Sequence, residues 1–241
     1  MRKSIDGLMA LVRTGWGEGI HTTDDMLRGV AGMSGPSHPS THAEEKVSPM
    51  QTDYFVLEAA ASNDHPMLAW DEYVSDFAGR KPFTVTRPLQ LRLGKPVPRN
   101  PVMVDHHTLP EPVVSPRLKE ALEPLALHGT QFVPVDVKVK PEDVRRYWIL
   151  HVYNWIACMD RQLSKFSLYP DGDVLGLYKL VLDEKVLREV PLERRLVFCL
   201  AEATSTYLFH RSIVEHVMAI QPAGLRFIPV EKWSDGAGFD P

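Results

Sequence analysis

Long apolar runs and strong net charge are missing from this 241-residue chain, and cysteine is scarce. No apolar stretch reaches the ~20 residues that a membrane helix needs. The early run Leu8-Met9-Ala10-Leu11-Val12 is cut short by Arg13, and no small-residue cleavage site follows. Neither a membrane span nor a secretion signal is therefore expected, and the expectation is a soluble, cytoplasmic protein. The two cysteines, Cys158 and Cys199, both lie in apolar runs and read as buried free thiols, so no disulfide framework is implied. A net charge of −4 offers no electrostatic footprint for nucleic acid or an anionic membrane. The glycines form neither GxGxxG nor GxxxxGK, and no CxxC or HExxH appears. Nucleotide and metal cofactors are accordingly not expected.

What is present is an ordinary globular composition, 44% hydrophobic and 24% charged, with enough length to bury a substantial core. Residues 1–50 stand apart. The stretch Gly32-Met33-Ser34-Gly35-Pro36-Ser37-His38-Pro39-Ser40-Thr41-His42 cannot bury enough apolar surface to offset its ordering entropy. It reads as a disordered, flexible N-terminal arm, and Met50 at its end reads as either an alternative start or the seam of a real extension. Residues 51–241 then form the folded domain.

Within that domain, the run from Arg145 to Arg161 carries Tyr147, Trp148, Tyr153 and Trp155. Alternation places apolar side chains on both sides of an extended chain, which predicts a strand deep in a sheet with Trp148 or Trp155 buried. Gln131–Val137 predicts a second strand; Tyr54–Leu57, Leu89–Leu93, Leu196–Leu200 and Leu225–Val230 predict others. Asp171-Gly172 is a hairpin signal, read as joining the 147–157 strand through a loop to Leu175–Leu182. Six prolines between Pro96 and Pro116 predict a stiff, irregular surface loop. Ser115-Pro116 predicts a helix start, with Leu118, Leu122 and Leu125 on one face and Gly129 ending it. Phe209, Ile213, Val217 and Ile220 predict an amphipathic helix. The order does not alternate regularly, so the fold expected is α+β: a single domain with a mixed or antiparallel sheet packed by a few helices.

Chemistry-bearing residues are scattered. His106 and His107 adjoin Asp105, but neighbouring side chains point apart, so they read as solvated loop residues rather than metal ligands. His210 and His216 are six apart, which is not a same-face helical spacing. His151 reads as a hydrogen-bonded core histidine rather than a catalytic base. Asp160, Asp183 and Glu184 end apolar runs and could do acid–base work, though solvated strand ends carry such residues routinely. Ser212 lacks a nucleophile elbow.

Ser115–Lys119, Gln131–Val135, Tyr147–Val152, Cys158-Met159-Asp160, Leu182-Asp183-Glu184 and Phe209 into Gly224–Phe227 together resemble a known family. It is the bacterial immunity proteins of polymorphic toxin systems, formerly catalogued as a domain of unknown function and typified by a myxobacterial member. The resemblance spans about residues 53–230 and implies a non-enzymatic protein of interbacterial competition that binds and neutralises a cognate toxin. It supplies no catalytic residues. The alternatives are a hydrolytic enzyme using the strand-end carboxylates and a regulatory protein-binding domain. Two acidic loops are the expected toxin-binding elements: the proline-stiffened one with Asp105, His106 and Glu111, and the turn with Asp171 and Asp173. Either would suit a toxin with a basic cleft.

Overall fold

A computed structural model describes residues 50–72, 80–82 and 84–234. The expected arm, residues 1–50, lies outside the described residues apart from Met50. The described chain is α+β, with mixed sheets and short helices. A six-stranded sheet runs in the order β2 (Leu68–Trp70), β3 (Leu89–Leu93), β6 (Thr130–Lys140), β7 (Asp143–Val152), β5 (Val113–Val114), β4 (His106–His107). A five-stranded sheet runs β13 (Leu225–Pro229), β1 (Tyr54–Ala59), β12 (Tyr207–His210), β11 (Val197–Leu200), β8 (Trp155–Ile156). The hairpin β9 (Lys165–Leu168) and β10 (Val174–Lys179) forms a third sheet by itself. Pairing is antiparallel except for β3 on β6 and β8 on β11.

The aromatic run from Arg145 to Arg161 is not one strand. It leaves the larger sheet at Val152 and enters the smaller one at Trp155. The break is made by the Gly129 carbonyl, which accepts from the amides of both Tyr153 (2.9 Å) and Asn154 (3.2 Å). The Asn154 side-chain amide then donates to the carbonyls of Arg194 (2.7 Å) and Val197 (2.9 Å), carrying the chain to β11. Gly129 has φ 64°, and a Cβ there would lie 2.4 Å from that of Asn154. Neither tryptophan expected in the core is fully buried. Each is half-covered under a cation: the Lys119 ammonium 5.6 Å from the Trp148 ring centre, and the Arg80 guanidinium 4.3 Å from that of Trp155. Their polar edges and large rings suit a boundary position better than a closed core.

Three apolar clusters result. One face of the β6–β7 hairpin buries Val133, Val135, Val137, Tyr147 and Ile149 against β3. The opposite face contributes Leu150 and Val152 to a core shared with α1 (Pro116–Leu122), α3 (Arg211–Ala219) and the smaller sheet. The third lies beneath β9–β10 and α2 (Glu184–Glu189), around Tyr54, Phe198, Leu180 and Leu187.

Helix α1 starts as its sequence predicts: Ser115 Oγ accepts from the Leu118 amide at 3.2 Å and Pro116 opens the first turn. It stops earlier than Gly129, because Pro124 has no amide to extend it and a short 3-10 turn follows. Helix α3 begins at Arg211 rather than Phe209, since Tyr207–His210 is claimed by pairing with β1 and β11. The Asp171-Gly172 turn joins β9 to β10, so the strand before it is Lys165–Leu168 and not the 147–157 run.

Candidate partner-binding surface

The proline-stiffened loop is tied into the fold. Asp105 Oδ1 accepts from Ser115 Oγ (2.6 Å), and Oδ2 accepts from the Ala223 amide (2.8 Å) and Arg117 (3.3 Å). This carboxylate joins the start of α1 to the turn before β13. His106 and His107 correct the expectation of solvated loop residues: both are buried in β4, because β4 pairs with β5 and β5 with β7. His107 Nδ1 meets the Pro66 carbonyl at 2.9 Å and its ring stands edge-on to Tyr147. Neither ring nitrogen of His106 has a hydrogen-bond partner among the described residues. Burial, with each ring's histidine neighbour adding, holds both imidazoles at about 4 and hence neutral near pH 7. Glu111 accepts from Tyr207 Oη at 2.8 Å, and burial raises its carboxyl.

Asp171 and Asp173 differ. Both are exposed at the tip of β9–β10, where Asp171 Oδ1 takes the Asp173 amide (3.2 Å) and Gly172 turns the chain at φ 91°.

The remaining chemistry-bearing residues serve local structure. His151 is the expected core histidine, its Nε2 at 3.0 Å from the Lys81 carbonyl. His210 caps α3, and His216 meets the Ala121 carbonyl. Both thiols are buried, and burial pushes Cys199 up to about 12 and Cys158 higher still, far from a reactive thiolate. Among the described residues no three His, Cys, Asp or Glu side chains converge as metal ligands would. No helix among them is long and apolar enough to cross a membrane.

The strand-end carboxylates come together. Asp160 Oδ1 accepts from the amides of Gln162 (2.8 Å) and Leu163 (3.0 Å). Asp183 Oδ1 caps α2 through the amides of Lys185 (2.9 Å) and Val186 (3.4 Å). Glu184 accepts from the Gln51 amide and from Arg188 at 2.9 Å. These side chains line an open groove of about 460 Å³ at the root of the β9–β10 hairpin, with Leu163 and Lys185 on its walls.

Over residues 38–232 the chain matches the model of the immunity protein family Imm11. The chain belongs to this family. The match takes in every strand and helix described above and begins within the stretch expected as an arm. No curated protein matches the chain. Imm11 membership agrees with the resemblance drawn from the sequence, and it directs attention from catalysis to surfaces. Sequence reasoning did not single out the exposed apolar residues on and beside β9–β10, Leu163, Leu168, Leu175 and Tyr178. The run Leu175-Gly176-Leu177-Tyr178 is apolar at both parities, and the structure covers only one of its faces.

Proposed function

We propose that this protein is the immunity partner of a toxin from a polymorphic toxin system, acting in the cytoplasm as a stoichiometric inhibitor without turnover. Membership of the Imm11 immunity family carries this reading. The geometry supports it: Asp160 and Asp183 hold turn and helix amides, the thiols are buried and protonated, and His106 and His107 are buried and neutral. These groups maintain a shape. A specific inhibitory contact on the usual scale would cover about 800 Å² of each partner. Of the residues expected to meet the toxin, Asp171 and Asp173 are exposed; Asp105 and Glu111 act behind the surface by holding neighbouring segments, and His106 is buried in β4. Co-expression with the toxin encoded beside this gene is the test. Growth rescue together with recovery of a one-to-one complex is expected, and a toxin that still kills and does not co-purify would overturn the proposal.

A further inference from the structure

Single exposed apolar side chains are normal on any protein surface, whereas a concentration of them marks a contact. Of the ten large hydrophobics exposed among the described residues, four fall between residues 163 and 178: Leu163 (62% exposed), Leu168 (46%), Leu175 (52%) and Tyr178 (48%). They occupy the β9–β10 hairpin and its root, where only Val174 and Leu177 of β10 are buried. The groove at that root supplies a matching polar element. Asp160 and Asp183 each commit Oδ1 to backbone amides, which fixes both carboxylates, while Oδ2 of each has no partner among the described residues. Of the other charged groups lining the groove, Arg188 is neutralised by Glu184 (2.9 Å), and Lys185 makes no ion pair among the described residues. Three carboxylates therefore face two cations, leaving one excess negative charge beside an exposed leucine.

We infer that this groove and hairpin form the toxin-docking face, and that the groove receives a basic side chain of the toxin. The ammonium or guanidinium meets Asp160 and Asp183, and the aliphatic stem lies along Leu163. Lysine and arginine bury their methylene stems on apolar surface while their charged ends seek an acceptor. Carboxylates already held by caps lose little freedom on meeting them. Leu175, Tyr178 and the acidic tip extend the contact from the groove. The inference rests on the inhibitor reading and assigns its surface.

The test is calorimetric titration of the full chain against the purified toxin domain encoded beside its gene, with each variant's melting temperature measured in parallel. The double variant Asp160→Asn/Asp183→Asn keeps the amide-accepting oxygens and removes the charges, so the fold should persist. Its affinity should fall about tenfold, with a weaker dependence on salt. Leu163→Arg places a like charge in the groove and should cost about a hundredfold or more. Val144→Arg, at an exposed site on the other hairpin, should change nothing. Wild-type binding with both groove variants within twofold of it would overturn the assignment and leave the inhibitor reading standing. Failure of the wild type to bind would overturn that reading and the assignment with it. If Leu163→Arg alters sedimentation of the free protein but not toxin affinity, the face joins two copies of this chain and the assignment also falls.

Discussion

The β6–β7 and β9–β10 hairpins are both antiparallel and similarly rich in Val, Leu and aromatic residues, yet one is covered on both faces near its base and the other on one face only. In the first, pairing runs from Thr130–Val152 to Lys140–Asp143, with β3 laid along one flank and β5 along the other. Both faces are covered near its base: Val133, Val135 and Ile149 on one side, Leu150 and Val152 on the other. The second is short, carries two register shifts, and has one covered face. Burial of an apolar strand residue is thus decided by what lies across both faces and both edges, and composition alone does not report it.

The largest expected effect separates the two hairpins directly. Ile149, fully buried and opposite Val133 and Val113, should cost about 2–5 kcal/mol on truncation to alanine. Leu175→Ala, on the exposed face, should stay within about 0.5 kcal/mol. Urea unfolding of the two variants measures both. Similar losses at the two sites would erase the distinction.

That contrast also marks how far the sequence could be read. Local signals were legible: Ser115 and Pro116 placed the start of α1, and Tyr54, Leu89, Leu196 and Leu225 announced strands where strands form. Long-range pairing was not. Nothing near His106 reports that Val113-Val114 will pair with it and with β7, so burial of two histidines read as solvation. Phe209 fitted a helical stripe, yet β1 and β11 hold it in a strand. The break at Tyr153-Asn154 depends on a carbonyl at Gly129, two dozen residues earlier in the chain, and apolar alternation runs through it without a mark. Asp171 and Asp173 could be recognised as exposed because a turn is a local feature. The groove was not, because its walls come from residues 51, 160–163 and 181–188.

The second prediction sharpens the comparison through pH. Unfolded histidine titrates near 6.5, whereas His106 and His107 at the end of the larger sheet are held at about 4. Between these values the unfolded chain takes up protons that the folded chain refuses. Stability contributed by either ring is therefore full above pH 6.5, declines as pH falls through the window, and levels below 4. A shift from 6.5 to about 4 corresponds to roughly 3 kcal/mol for one ring. Glu111 acts in the opposite sense: its raised carboxyl gains stability as pH falls through its folded value toward the ordinary 4.5, which offsets part of the loss. His106 lines a small apolar cavity together with Leu57, Val114, Leu118 and Phe209, so His106→Leu should be accommodated and should visibly flatten the decline between pH 7 and 4.5. Urea unfolding at the two pH values checks it. An unchanged decline would show that His106 does not drive acid sensitivity. Hydrogen exchange under the same conditions should report opening at β4 and β5 before β9–β10, since the acid-sensitive rings lie in the larger sheet.

The smallest expected effect compares two glycines with the same backbone requirement. Gly129 and Gly172 both have positive φ, 64° and 91°, so alanine at either incurs the left-handed penalty of about 1–2 kcal/mol, partly offset by a less free unfolded chain. Their surroundings differ. A Cβ at Gly172 meets nothing within 4 Å, as befits a hairpin tip in open solvent. A Cβ at Gly129 would lie 2.4 Å from Asn154 Cβ and 3.0 Å from Asn154 Cα, so the chain crossing between the two sheets would have to move. Moving it endangers the paired amides on the Gly129 carbonyl and the Asn154 bonds to Arg194 and Val197. Gly172→Ala should therefore cost about 1 kcal/mol, and Gly129→Ala about 1–3 kcal/mol more, read as the difference in urea midpoint at unchanged slope. Equal costs would mean that the crossing at Asn154 yields freely, and that the two sheets are joined less tightly than the bonds at this position imply.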